Sequence, residues 1–295
     1  MTDPEPASLR HDDNTTQVNL NTETKFLFST SGSQTSIEKY NEALKQLGLN
    51  LVYFSFAHPV SPEVYAGLLR SPITRGAAVT GKGGLKSSII PFLDEVEPLA
   101  LKTLTVNTVV NNNGKLYGYN TDSYGLKTAL EKGITESGIQ VKTAVIYGYG
   151  GVSGAAYFVL QEMGIRVTIT GRDPEKLLIK RTALAIEPED HFEGPWDLLV
   201  DATPVSSDAD FLKSEGLEDI LKNCKLVFSH NMPERDMKTN FLKAYCEEHK
   251  LPFIPGKWMH KAQQLKQYSL FLEGYTKNGT GPIQEKDIAA AFKTG

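Results

Sequence analysis

Cysteine is scarce in this 295-residue chain: Cys224 and Cys246 are the only two, no CxxC occurs, and no histidines are paired at metal-ligand spacing. A disulfide scaffold and a structural zinc are thereby excluded, no metal is expected, and a reducing, cytoplasmic setting fits. Long hydrophobic runs are missing as well, so no membrane-spanning segment is expected. There is also no large surplus of one charge sign. The formal net charge of −4 argues against nucleic acid or an anionic membrane as the main partner. The opening stretch, residues 1–24, contains two prolines and has no apolar period. It is predicted to be a disordered tail. It lacks the apolar core of a secretory signal and the arginine-rich character of a transit peptide, so export is not expected.

What is there is the composition of a globular protein, 40% hydrophobic and 22% charged, in a chain long enough for two domains with separate cores. From Lys25 onward short apolar runs alternate with helical stretches: a strand at 26–28, a helix near 35–47, a strand at 51–56, a helix near 61–69 and a strand at 77–80. This alternation argues for a parallel α/β layer. Helix signals continue at 87–96 and 99–104, residues 106–122 read as a hairpin around Asn111-Asn112-Asn113-Gly114, and a helix is expected over 123–131. Further strands are expected at 196–201, 225–229 and 252–254, with helices near 238–248, from Gly256 to about Gly274, and over 284–292. The division that follows is a tail (1–24), a first domain (25–125), a second domain (126–255) and C-terminal helices (256–295) that return to the first.

The most informative stretch is VIYGYGGVSGAA at 145–156. An apolar strand runs into Gly148, Gly150, Gly151 and Gly154 and then into Ala155-Ala156, which reads as strand, glycine turn, helix. Such a turn lets backbone N–H groups and the positive helix end meet a pyrophosphate. The next strand ends not in an acidic residue but in Gly171-Arg172. Arg172 can grip a 2′-phosphate as a fork, with Lys176 as a second charge, which favours NADP. Asp173 could instead accept from a free ribose hydroxyl, so NAD stays open.

Several other pieces stand in a fixed order: PFLDEV at 91–96, VNT at 106–108, GYNTD at 118–122, DATP at 201–204, and Gly256 followed seven residues later by Gln263. With the glycine turn, they resemble the shikimate and quinate dehydrogenase family over nearly everything from Lys25 to Phe292. The resemblance implies an N-terminal α/β substrate domain, a Rossmann-like NAD(P)-binding domain, and C-terminal helices packing back on the first. It also implies NADP-linked interconversion of 3-dehydroshikimate and shikimate in aromatic amino acid biosynthesis, on a small cyclic hydroxy acid and without metal, by a monomer or homodimer. On the family's pattern Lys86 and Asp122 flank the reacting hydroxyl. Ser36, Gln34, Thr80, Asn107 and Gln263 hold the substrate, while Thr203 and Gly256 join the glycines at the cofactor.

Chemistry supports such a pair. Hydride transfer to a ketone leaves an alkoxide that needs a proton. Free lysine titrates near 10.4; a carboxylate neighbour raises that value, whereas burial or a nearby cation lowers it, so a lysine in a closing cleft can serve both directions. The plainer alternative is a solvated Lys86 at a helix start and an Asp122 that only caps a helix.

The chain departs from the family on the substrate side. The family reads N-V-T, three residues, then Lys; here the run is Ala78-Val79-Thr80-Gly81-Lys82-Gly83-Gly84-Leu85-Lys86, which leaves Lys82 as an alternative proton carrier. The usual S-x-S falls on Gln34-Thr35-Ser36, although Ser31 or Ser33 could take a serine's place. An expected tyrosine is missing from Ser229-His230-Asn231-Met232-Pro233, where His230 faces substrate, nicotinamide or solvent. A lost hydrogen bond to a charged group costs roughly 1.5–3 kcal/mol, so a related substrate is expected to compete with shikimate. An NAD-dependent quinate/shikimate dehydrogenase and a low-turnover dinucleotide-binding regulator therefore stay open.

Overall fold

The computed structural model describes residues 20–56, 60–80, 84–187, 192–203, 206, 208–214, 216–233 and 237–292. Of the predicted tail, residues 1–19 lie outside these, as does Lys82. Residues 21–24 of the expected tail are tied to the fold: the Asn21 side chain accepts from Asn50 Nδ2 at 2.8 Å, and Thr24 Oγ1 donates to Asn50 at 2.7 Å.

The first sheet contains β1 (Lys25–Ser29), β2 (Leu51–Ser55), β3 (Thr74–Ala78), β4 (Glu95–Val96), β5 (Thr108–Asn112) and β6 (Lys115–Tyr119) in the order β2-β1-β3-β5-β6-β4. β1 runs parallel to β2 and β3, but β5 is antiparallel to both β3 and β6. β1, β2 and β3 form the parallel layer expected from alternation, and the hairpin expected over 106–122 supplies β5 and β6 and makes the sheet mixed. The cause is local: Asn113 (φ 53°) and Gly114 (φ 88°) make a two-residue turn that reverses the chain, whereas a parallel neighbour would need a long crossover.

Helices α1 (Gln34–Gln46) and α2 (Pro62–Leu69) fall near their predicted places, capped by Ser33 and Ser61. The helix expected over 87–96 breaks into α3 (Leu85–Ser88), a 3₁₀ turn at Ile90–Phe92, and β4. Pro91 cannot donate into a continuing helix, and Glu95 and Val96 pair with β6 instead. α4 spans Pro98–Lys102. α5 (Thr121–Ser137) runs six residues past its expected end, stopping where Gly138 adopts φ 67°.

The second sheet holds β7 (Thr143–Tyr147), β8 (Arg166–Thr170), β9 (Leu198–Asp201), β10 (Leu226–Ser229) and β11 (Phe253–Pro255), ordered β11-β10-β9-β7-β8 and parallel throughout. Its strands are apolar on both faces. Ile146, Leu198 and Val200 meet α5 and α6 (Gly151–Glu162), while Val145, Leu199 and Val227 meet α8 (Leu217–Asn223) and α9 (Phe241–Glu248). The chain leaves β7 for β8 on one side through α6 and later returns through α7 (Pro174–Ala183) to β9 on the other. Strand order thus reverses between β7 and β9, and ligands of such sheets bind at the carboxyl ends flanking this switch.

α10 (Gly256–Leu272) and α11 (Glu285–Ala291) return to the first sheet. Tyr268, Phe271, Leu272, Ile288 and Phe292 bury against Leu27, Tyr40, Leu44 and Tyr53. Arg75 of β3 donates to the carbonyls of Phe271 (2.7 Å) and Glu273 (2.9 Å), closing the C-terminal end of α10. Farther along, α10 lies so close to α5 that a Cβ on Gly125 would collide with Met259 O and come within 2.7 Å of Gln263 Cβ. Among the described residues no helix is long and apolar enough to cross a membrane.

Candidate active site

Lys86 and Asp122, 36 positions apart in sequence, meet at 2.7 Å between Nζ and Oδ2. Lys86 sits in α3, and its carbonyl accepts from Val106 N at 2.8 Å, which fixes the short helix to the approach of β5. Asp122 lies in the first turn of α5, where the positive helix end favours a carboxylate. It does not cap that helix. Asn120 does, accepting from Ser123 N at 3.2 Å, while Glu97 accepts from Asn120 N. The Asp122 carboxylate is thus free to bind an ammonium, and both partners stay about 30% exposed (28% and 31%) on the wall of a cleft.

That cleft, about 410 Å³, is lined on one side by Lys86, Asp122 and Gln263 and on the other by Val152, His230 and Gly256. It is the meeting place of the two sheets' helices and within the size range of small-molecule sites. Gln263, on α10, donates from Nε2 to Thr121 Oγ1 at 3.3 Å. Asn107 is buried behind it. Its Oδ1 accepts from Thr121 N (2.9 Å), Thr121 Oγ1 (3.0 Å) and Thr108 Oγ1 (2.9 Å), so the side chain ties β5 to the start of α5 and only Nδ2 remains to donate to a ligand.

The remaining substrate-side residues form a hydroxyl cluster around the start of α1. Thr80 Oγ1 lies 3.0 Å from Thr30 Oγ1, Ser36 Oγ donates to Ser33 Oγ at 3.0 Å, and Ser31 Oγ lies 3.0 Å from Ser55 Oγ. Gln34 differs: it is the first residue of α1 and donates to Glu38 one turn on, along the exposed face at 3.1 Å. Ser36, Gln34, Thr80 and Asn107 are not among the described residues lining the cleft.

On the other wall, the glycine turn follows β7 at the switch point. Gly148 has φ 115°, and a Cβ there would stand 2.9 Å from Thr203 Cγ2 and 3.1 Å from the Ala202 carbonyl, so position 148 takes no side chain. α6 begins at Gly151 with Gly150 as N-cap, which has no side chain to accept from the helix's first N–H groups. Gly154 faces α7 in the first turn of α6. Past β8, Arg172 makes no ion pair or hydrogen bond among the described residues, whereas Lys176 pairs with Asp173 at 3.1 Å. Asp173 also accepts from Lys176 N to cap α7, which holds its carboxyl below the usual range. An open helix end and an uncommitted guanidinium fit a nucleotide bearing phosphates.

Sequence reasoning passed over the residue that organises this wall. Asp201, at the end of β9, is fully buried with no cation in hydrogen-bond contact among the described residues; its carboxylate accepts from Thr203 N (3.0 Å), Thr203 Oγ1 (2.7 Å), Ser229 Oγ (2.8 Å) and Asn231 Nδ2 (3.2 Å). Burial raises its pKa against those hydrogen bonds. Gly256 opens α10 against the neighbouring loop, with Ser229 O 2.8 Å from where its Cβ would be. His260, Met259 and Met232 also line the cleft. An acidic residue at the carboxyl end of a predicted strand was the available signal for Asp201.

Comparison with known proteins gives the same answer from an independent direction. No family model matches the chain. Shikimate dehydrogenases (NADP(+)) from two Bacillus cereus strains, G9842 and B4264, are 33% and 32% identical over 190 residues, 59% of this chain and 66% of each relative. The aligned part thus falls just short of two thirds of those relatives' length. A solved shikimate dehydrogenase in complex with NADP+ is 25% identical, with a TM-score of 0.67 over 93% of this chain and 96% of its own. Shikimate 5-dehydrogenase from Thermus thermophilus, in complex with shikimate, shares the fold at a TM-score of 0.65 and 24% identity, over 92% and 98%. With its two-sheet fold and a glycine turn at the switch point, the chain is similar to shikimate dehydrogenases in sequence over 190 residues and in fold over nearly its whole length.

Proposed function

We propose that the protein is an NADP-dependent oxidoreductase that moves a hydride reversibly between NADP(H) and a cyclic hydroxy acid of the shikimate type. The observation that carries this reading is the Lys86–Asp122 pair at 2.7 Å on the wall of a cleft whose opposite wall holds Gly256 and the α6 start. When bound, the dinucleotide supplies or accepts the hydride. Lys86 holds the proton that the substrate oxygen takes up on ketone reduction and receives it on alcohol oxidation. Asp122 keeps the ammonium in place and accepts from the substrate hydroxyl. Gln263 and Asn107 Nδ2 orient the ring from above α5. Arg172, with Lys176 beside it, binds the 2′-phosphate, and the backbone around Gly148, Gly150, Gly151 and Gly154 meets the pyrophosphate. In this reading residues 25–125 and 256–295 form the substrate unit and residues 126–255 the cofactor unit.

The direction in which Gln34 points favours an altered carboxylate anchor. With its amide engaged by Glu38, the hydroxyls of Ser31, Ser33 and Ser36 supply the donors in its place. A steady-state screen of shikimate and quinate with NADP+ and NAD+ tests the whole proposal. NADPH formation from shikimate is expected. Binding of NADP+ without oxidation of either acid would leave a dinucleotide-binding regulator, and faster turnover of quinate with NAD+ would reassign substrate and cofactor together.

A further inference from the structure

His230 stands at the carboxyl end of β10, next to Asp201 on β9, and its ring lines the cleft. Its Nδ1 lies 3.1 Å from the backbone carbonyl of Asp201. A carbonyl oxygen only accepts, so Nδ1 carries the hydrogen, and in the neutral ring Nε2 is left with a lone pair. Among the described residues Nε2 has no hydrogen-bond partner, and it is not among the buried polar atoms that lack one. The segment is held in place. The Asp201 carboxylate accepts from Ser229 Oγ (2.8 Å) and Asn231 Nδ2 (3.2 Å), the residues on either side of His230, and the His230 carbonyl fills the space where a Gly256 Cβ would be.

We propose that His230 is a specificity residue for the dinucleotide, its Nε2 accepting a hydrogen bond from the carboxamide NH₂ of the nicotinamide ring. The assignment rests on the reading under "Proposed function" and adds to it a side-chain contact to the reactive end of the cofactor. His230 belongs to the wall built by the second sheet, whereas Lys86, Asp122 and Gln263, which face the substrate, come from α3, α5 and α10. The nicotinamide carboxamide offers one acceptor and one NH₂ donor. A ring whose tautomer is set by a backbone carbonyl presents an acceptor and therefore selects the donor end, orienting the ring about its glycosidic bond.

Two measurements test this. Long-range ¹⁵N–¹H correlation spectra of histidine-labelled protein, at a pH where the ring is neutral and with His230 assigned by its loss in His230→Gln, should show the Nδ1–H tautomer. The Nε2–H tautomer would overturn the proposal whether or not the protein turns over any substrate. Fluorescence titrations should then show NADP+ binding about three- to tenfold more tightly than its 3-acetylpyridine analogue, which lacks the NH₂, and His230→Leu should bind both at the weaker level. His230→Phe, which keeps ring volume, should behave as the leucine variant does. Discrimination that survives in both variants overturns the assignment, as does a loss confined to shikimate affinity, which would place the imidazole on the substrate. Absence of any NADP+ binding by the wild type would overturn the dinucleotide reading as well, whereas tight binding without discrimination overturns only this inference.

Discussion

The two walls of the cleft are built by different means. On the cofactor side, neighbouring stretches of backbone do most of the construction: a glycine turn after β7, an open helix end at α6, and a buried carboxylate, Asp201, that gathers Thr203, Ser229 and Asn231 from two adjacent strand ends. Among the described residues, no Lys, Arg, Asp or Glu of that wall lines the cleft. On the substrate side, side chains from α3, β5, α5 and α10 converge, and the central feature is an ammonium–carboxylate contact between residues far apart in sequence. A fixed dinucleotide needs backbone shape, whereas a proton that must move needs titratable groups held by tertiary packing.

Removing the proposed proton carrier should have the largest effect. Lys86→Met is expected to lower kcat by about a thousandfold or more with KM for NADP+ little changed, because general acid–base groups contribute about 10²–10⁴ in rate. Steady-state kinetics with both ligands varied checks it; a proportional rise in the NADP+ KM would mean the lysine serves the other wall. Asp122→Asn keeps the shape and removes the charge, and a loss of about a hundredfold in kcat is expected, measured in the same assay.

How far each wall can be read from sequence follows from the same difference. The glycine turn, Arg172 and the strand–helix alternation of the second sheet lie within short windows, so local pattern places them. α1 and α2 begin at serine caps, which are local signals too. The substrate wall is harder, because the pairing of Lys86 with Asp122 depends on where the hairpin and α5 put them; family resemblance supplied the pair, and local reading by itself favoured a solvated lysine and a helix cap. The hairpin of β5 and β6 was legible from its Asn-Gly turn, whereas the broken helix at 87–96 was missed because Pro91 outweighs the surrounding periodicity. Gln34 shows the limit in the other direction: its position matches a substrate serine, yet as the first residue of α1 it points along its own helix.

Smaller effects sharpen the contrast. On the cofactor wall, Arg172→Ala should reduce kcat/KM for NADP+ by one to two powers of ten, the value of one charge-assisted contact of roughly 1.5–3 kcal/mol, and leave NAD+ use nearly intact. An equal loss with both nucleotides would place Arg172 elsewhere than at the 2′-phosphate. Between the walls, Gly125→Ala forces a methyl into Met259 O and should destabilise the protein by about 1–3 kcal/mol in chemical denaturation, shifting Gln263 and Asp122 together. No change in midpoint would show that the α5–α10 contact is loose.

The smallest effect contrasts the two ends of β9. Asp197, at the amino end, would be raised by burial, but Lys225 at 2.8 Å and the N–H groups of Lys142 and Thr143 hold its pKa down to about 2. A carboxyl depressed in the folded state stabilises above its unfolded pKa, near 3.9, and that contribution disappears as pH falls toward 2. Discounted for the exposure of Lys225, it amounts to about 1 kcal/mol. Melting temperatures of wild type and Asp197→Asn should therefore differ at pH 6 and converge by about pH 2. A constant gap would mean the charge itself contributes nothing.

The central claim, that Lys86 is the proton carrier, is tested most directly by chemical rescue of Lys86→Ala with small primary amines. Shikimate oxidation by NADP+ is predicted to be restored saturably by ethylamine and to rise with amine basicity, with both ligands bound as in wild type. Normal binding of both ligands with no rescue by any amine that fits the vacated space would contradict it.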